Sequence, residues 1–185
     1  MIVIMSKKFF DLLGSIPANS REIRKGALLF EQGDLVQTLT RVDDGEIHLL
    51  RRQIDGAEFI LQRATKGSII AEASLMTETY HCAAIAIVAS RLTYWPRNVV
   101  RARIAQDNQL AEAYAAHLAT EVRTARLRAE IASLRRIQDR LDAWLIWHDG
   151  TLPVKGGWHI LAREINVTPE ALYRELARRR KAVSP

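Results

Sequence analysis

Four side chains close to the C-terminus have types and spacing suited to reading the edge of a base pair. Within Pro169–Lys181, Glu170, Tyr173, Arg174 and Arg178 are separated by three, one and four residues, which places them on one face of an α-helix. Leu172 and Leu176 fall at i, i+4 on the opposite side. A guanidinium can donate two parallel hydrogen bonds to O6 and N7 of guanine, and a carboxylate can accept from N4 of cytosine. An Arg and a Glu pointing outward together near a helix N-terminus suit that chemistry in the major groove. The same residues on any amphipathic helix would form a solvated charged face, and periodicity alone does not separate the two readings.

The residues that must position this face are equally specific. Leu161, Ala162 and Ile165 form the inner face of a first short helix, roughly Trp158–Ile165, and the small Ala162 lets a second helix cross close over it. Asn166 stands at the turn, where a left-handed backbone is wanted and Asn tolerates it. Val167 fills the corner. Thr168 is a good N-cap, and Pro169 follows at the first helical position, where its missing N–H costs nothing. The segment Leu161–Lys181 therefore reads as a helix-turn-helix. Thr168 and the first-turn N–H groups would hold a phosphate, with Arg178, Arg179, Arg180 and Lys181 adding phosphate contacts.

Charge supports a polyanionic partner. The chain of 185 residues carries a net charge of +6, and Thr151–Pro185 alone has seven Lys and Arg against three Glu. Other chemistries find little support. The single cysteine, Cys82, excludes an intrachain disulfide and fits a reducing compartment, hence the cytoplasm. As a neighbour of His81 it invites a metal or haem reading, but adjacent residues on a strand face opposite ways, so an inert buried thiol is expected. Histidines 48, 81, 117, 148 and 159 lack zinc-site spacing. No phosphate loop, nucleophile elbow or paired carboxylate is visible, so no enzyme, metal or cofactor is expected. No apolar run approaches the length of a membrane span, and MIVIMSKKFF does not read as a signal peptide.

The chain changes character near Pro96. Before it, Gly26, Gly33, Gly45, Gly56 and Gly67 punctuate short apolar runs; Ala27–Phe30, Ile47–Leu50, Glu58–Gln62 and Ala83–Ala89 read as strands of an antiparallel sandwich or roll. Asp55-Gly56 and Asp44-Gly45 are hairpin signals. Phe9–Leu13 reads as a short outer helix. From Asp107 to His148 there is neither Gly nor Pro. Tyr114, Leu118, Val122, Ala125, Ala129 and Ala132 share one helical face, and the alanines let two such helices approach closely, which predicts a dimer. A second stripe, Leu127, Ile131, Leu134, Leu141 and Leu145, lies on another face. One straight helix cannot bury both, so a break is expected near Ala132–Leu134, with Ser133 as a cap. Asp149-Gly150 ends the following helix. The expected parts are a sensor domain at 1–106, a dimerisation helix at 107–132 and a DNA-binding domain at 133–185.

With these elements in this order, the chain resembles the cyclic-AMP receptor protein / fumarate-nitrate-reduction regulator (CRP/FNR) superfamily of transcription regulators. The resemblance runs from about Lys25 to Arg180 and is carried by KGALLFEQGD, VDDGEIHLL, GSIIAEASLM, the central helix and TLPVKGGWHILAREINVTPEALYRELARRR. It implies an α+β fold: an N-terminal antiparallel β-roll of the cyclic-nucleotide-binding, jelly-roll type, a long dimerisation helix through Tyr114, Leu118, Val122 and Ala125, and a C-terminal helix-turn-helix. DNA contacts would then come from Thr168, Glu170, Tyr173, Arg174, Arg178 and Arg179, with Glu170 and Arg174 reading the half-site. Tyr173 stands where the best-known members often have a small residue.

The resemblance also implies an effector pocket, which here would comprise Glu72, Ser74, Cys82 and Ala83. In nucleotide-binding members a Glu holds the ribose and an Arg ten residues later holds the cyclic phosphate. Glu72 matches the first, but Cys82 stands at the second. A thiol brings no positive charge and only a weak donor, so cyclic AMP is not the expected effector. After the recognition helix the sequence reads RRRKAVSP, so the wing of the family is expected to be absent or reduced. The expected partners are double-stranded DNA, a second copy of the chain and RNA polymerase, with no membrane. The alternative is a ligand-sensing or protein-interaction module with weak or lost DNA binding, serving as a heterodimer partner.

Overall fold

A computed structural model describes residues 2–52 and 58–183. The chain divides into two compact units, Met1–Ala119 and Thr120–Pro185. The boundary lies inside the long helix rather than at either of its ends, because that helix contributes buried residues to both units.

The first unit opens with α1 (Ile2–Leu13), longer than the short helix expected at Phe9–Leu13. Eight strands follow: β1 (Asn19–Ile23), β2 (Leu28–Phe30), β3 (Thr38–Asp44), β4 (Glu46–Arg52), β5 (Glu58–Thr65), β6 (Ile69–Ile70), β7 (Ala83–Ala86) and β8 (Ser90–Pro96). They form two four-stranded antiparallel sheets, ordered β1-β8-β3-β6 and β2-β7-β4-β5. The unit closes with α2 (Arg97–Gln106) and the first turns of α3 (Asn108–Ser133).

Alternation along the strands explains why the unit has two cores. On β3, Thr40 and Val42 point between the sheets, where Ile47, Leu49, Ala64, Ile70, Ala84 and Leu92 meet them. Phe30 and Tyr80 stack there with centroids 3.6 Å apart. Leu39 points the other way, joining Ile69 and Trp95 beneath Phe9, Leu13, Val100, Leu110 and Tyr114. The helices therefore cover the outer face of the first sheet. Each fully buried large aliphatic or aromatic side chain contributes about 1.5–3 kcal/mol.

The Asp44-Gly45 signal is a turn, but not a hairpin. β3 and β4, which it joins, belong to different sheets, so the turn is a corner of the roll. Gly45 has φ +97°, and a Cβ there would lie 2.1 Å from Oγ of Ser90, so both conformation and space demand glycine. The Asp55-Gly56 signal lies outside the described residues; the strands on either side of it, β4 and β5, pair antiparallel. β7 is shorter than the expected Ala83–Ala89 strand, ending at Ala86.

The second unit comprises the rest of α3, then α4 (Ile137–Trp147), α5 (Trp158–Glu164) and α6 (Pro169–Val183). Helix α3 does break where two stripes demanded it, at Ser133. Ser133 does not cap α4, however; its hydroxyl donates to the Glu130 carbonyl in the last turn of α3. Ile131, Leu141, Trp144, Leu161, Ala162, Ile165, Leu172 and Leu176 form the core, with Leu127 and Leu145 packed against it. The second stripe is thus the seam of this unit. The first stripe is divided: Tyr114 is buried inside its own chain, whereas Val122, Ala125, Ala129 and Ala132 are exposed. Among the described residues no helix is long and apolar enough to cross a membrane.

Candidate nucleic-acid interface

Helix α6 is presented by a short local programme. Helix α5 ends with Ile165 N–H donating to the Leu161 carbonyl and Val167 N–H to the Ala162 carbonyl. Asn166 takes φ +53°, the left-handed conformation expected there. Thr168 then caps α6, its Oγ1 accepting from Ala171 N–H at 3.2 Å. Leu172 and Leu176 are buried, and Ala162 is fully buried where α5 and α6 cross.

The outward face carries Glu170, Tyr173, Arg174, Arg178, Arg180 and Lys181. Glu170 and Arg174, one turn apart, make no hydrogen bond or ion pair with another described residue and are free for an external partner. Tyr173 is 43 % exposed, with its ring centroid 5.8 Å from that of Trp158. The Arg180 guanidinium lies over the Trp158 ring, 5.9 Å from its centroid. The indole N–H of Trp158 donates to the Pro153 carbonyl, which fixes the ring.

Two of the expected phosphate contacts are differently engaged. Arg178 forms a two-pronged pair with Glu175, both bonds 2.8 Å long, while its side chain remains 59 % exposed. Arg179 is turned inward. Its Nε donates to Glu175 at 2.8 Å, Nη1 to Asp142 Oδ1 at 2.6 Å and Nη2 to the Gln138 carbonyl at 3.0 Å. Arg179 therefore fastens α6 to α4 and is not presented to a phosphate. Hydrogen bonds from Arg178 and Arg179 hold the Glu175 carboxyl down to about 2, against the cost of its burial. Sequence reasoning missed Glu175 and Asp142 as parts of the site. An i, i+3/i+4 Glu–Arg pattern marks the first, but Asp142 is 37 positions away from its partner and left no local signal.

The residues expected to form an effector pocket lie on the segment from the 3₁₀ turn to the start of β7. Glu72 starts a 3₁₀ turn, Glu72–Met76, after Ala71 in a left-handed conformation. Tyr114 donates to the Glu72 carbonyl at 2.9 Å. Ser74 is fully buried, with Oγ 3.2 Å from Nδ1 of His81. Ala83 begins β7. Cys82 is fully buried, whereas His81 is exposed, so the two point apart; both precede β7 rather than lying on it. Burial pushes the Cys82 thiol up to about 11, and the Glu72 carboxylate adds to the rise while Arg51 opposes it. The Cys82 thiol is thus uncharged at neutral pH. Among the described residues no cluster of three or more His, Cys, Asp or Glu is placed to hold a metal ion.

Comparison with known proteins bears on the fold. Residues 20–107 match the cyclic nucleotide-binding domain family. No curated protein sequence matches the chain significantly. Among solved structures, FixK2 from Bradyrhizobium japonicum is similar at a TM-score of 0.68 and 18 % identity, covering 90 % of this chain and 86 % of that one. The sensor domain of the transcriptional regulator DNR from Pseudomonas aeruginosa is similar at 0.54 and 25 % identity, covering 73 % and 93 %. The catabolite activator protein of Thermus thermophilus is similar at 0.52 and 24 % identity, covering 98 % and 83 %. Over residues 20–107 the chain is thus similar to the cyclic nucleotide-binding domain family, and as a whole it has the fold of the CRP/FNR transcription regulators.

Proposed function

We propose that this chain is a dimeric, sequence-specific DNA-binding transcription regulator of the cytoplasm, with RNA polymerase as a further partner, that does not respond to cyclic AMP. The observation that carries the reading is the pairing of Glu170 and Arg174. They are exposed and uncommitted on the first turns of a helix whose opposite side is fastened by Leu172, Leu176 and Arg179. A rigid back and a free polar front are what base reading requires. Structural neighbours named as a transcriptional regulator and a catabolite activator protein support the same reading. The uncharged Cys82 thiol supports the absence of a cyclic-phosphate contact.

The test is selection of bound duplexes from a random library with the purified protein, followed by Arg174→Ala on the selected site. The variant loses about 1–3 kcal/mol there and much less on random DNA. An unchanged ratio between the two duplexes would remove α6 as the reading element. The engagement of Arg178 and Arg179 by Glu175 favours a second reading, a sensing or heterodimerising module with weak DNA affinity. Failure to enrich any sequence, together with a response to a ligand, would favour it.

A further inference from the structure

One guanidinium connects the end of α3 to the turn that precedes the recognition helix. Arg140, in the first turns of α4, donates from Nε to the Leu134 carbonyl at 2.8 Å and from Nη2 to the Ala132 carbonyl at 3.1 Å. Its Nη1 donates to the Asn166 carbonyl at 2.7 Å and to the Ile165 carbonyl at 3.3 Å. All four acceptors are backbone, and they belong to two segments more than thirty residues apart.

Each segment is a helix end whose carbonyls lack intrahelical partners. At the end of α3, the Ser133 hydroxyl takes the Glu130 carbonyl and Leu134 N–H takes that of Ile131. Arg140 takes the next one, Ala132. At the end of α5, local N–H groups take the carbonyls of Leu161, Ala162 and Arg163. Arg140 takes those of Ile165 and Asn166. Asn166 lies two residues before Thr168, the cap of α6. The start of α6 is therefore joined to the end of α3 by one polar side chain, besides the apolar core that Ile131 of α3 shares with Leu172 and Leu176 and the covalent path along α4 and α5.

We propose that Arg140 is a positioning residue for DNA reading, setting the recognition helix relative to the C-terminal end of α3. The proposal rests on the DNA-reading assignment of α6. The planar fork matters because it reaches two carbonyl groups in different directions at once. A lysine keeps the charge and the apolar stem, but its ammonium is one point and cannot serve both segments. With the link gone, α6 keeps its own cap and the apolar core it shares with Ile131, but the turn before it is no longer tied by directional hydrogen bonds to the end of α3.

Two readouts on the full chain test this. The first needs no DNA. Spin labels at positions 128 and 181, both exposed, are placed in a Cys82→Ala background, and labelled chains are diluted into excess unlabelled protein. With Arg140 present the intrachain distance is narrow; Arg140→Lys broadens or shifts it while circular dichroism stays that of the parent. The second readout is the affinity ratio between a selected duplex and a random one. Arg140→Lys lowers that ratio about tenfold, within the usual range of coupling between sites, and leaves random-duplex affinity within about twofold. Arg140→Gln, which keeps a donor and the stem, is the second variant should the lysine protein fold poorly. A parental distance distribution in a folded variant overturns the proposal, as does an equal loss on both duplexes. If no duplex is selected, the DNA-reading assignment fails, and the distance measurement alone decides whether Arg140 sets α6 against α3.

Discussion

Arg179 of α6 donates to Oδ1 of Asp142 on α4 across 2.6 Å, and its Nε holds Oε1 of Glu175 at 2.8 Å. Arg174, five positions earlier on the same helix, makes no such bond. Two arginines that look alike in sequence therefore have different jobs. Arg179→Ala leaves the mostly buried Glu175 with one cation and the Gln138 carbonyl without this donor, so it costs about 1–3 kcal/mol of stability in the second unit. Arg174→Ala leaves stability unchanged within about 0.5 kcal/mol. Urea unfolding of both variants checks this. Equal stability losses, or none for Arg179→Ala, would mean the inward clamp is not maintained in solution.

Glu175 makes the same clamp pH-dependent. Its carboxyl is held at about 2, below the ordinary 4.5, chiefly by the hydrogen bond from Arg178 and then by that from Arg179. A lowered folded-state value means that the contribution to stability is complete above about pH 5 and is lost as the pH falls towards 2. The comparison of wild type with Glu175→Gln isolates it: their difference in unfolding free energy is constant from pH 5 to 8 and shrinks below pH 4.5. A difference that does not change with pH would show that Glu175 is not ion-paired in the folded state.

These two residues also show what could and could not be read from sequence. Asn166, Thr168 and Pro169 were legible because turn and cap chemistry is decided within four residues. The break at Ser133 was legible because two apolar stripes on different faces cannot belong to one straight buried helix. The role of Arg179 was not, since its partners Asp142 and Gln138 meet it only after α4 and α6 pack. Strand β1, Asn19–Ile23, was also hidden: it is polar and largely exposed, and is a strand only because β8 pairs with it. The corner at Gly45 looked like a hairpin because the local chain reversal is the same; which sheet each strand joins is decided by long-range pairing. Tyr114 continued the stripe of α3 in sequence, but Phe9 packs on it at 5.5 Å in the fold and takes it out of the exposed face.

Cys82 provides a test of the roll. Its thiol is fully buried and pushed up to about 11, so little thiolate exists at neutral pH. Iodoacetamide at pH 7.5 should modify it only at the rate at which the unit opens, and denaturant should accelerate the reaction strongly. Cys82→Ala should retain the fold. Rapid modification of the folded protein would identify a reactive thiol and overturn the reading of Cys82 as an inert buried side chain.

The exposed part of the α3 stripe carries the last prediction. Val122 is 47 % exposed in the single chain, and Ala125, Ala129 and Ala132 continue its face along the same helix. Val122→Glu adds a carboxylate to that face. It costs little in an isolated chain, where the side chain meets water, and much in a helix pair, where the charge is buried without a partner. The variant should sediment as a monomer at micromolar concentration while both units unfold as in the parent. It should also lose binding to a two-half-site duplex, because two recognition helices about 34 Å apart must be supplied by two chains. Leu118→Glu is a poorer probe, since Leu118 packs on the core beneath α1 and its replacement disturbs the first unit as well. Tyr114→Glu is poorer still, for Tyr114 is buried and holds the Glu72 carbonyl. A Val122→Glu protein that remains a dimer would place the interface away from this face.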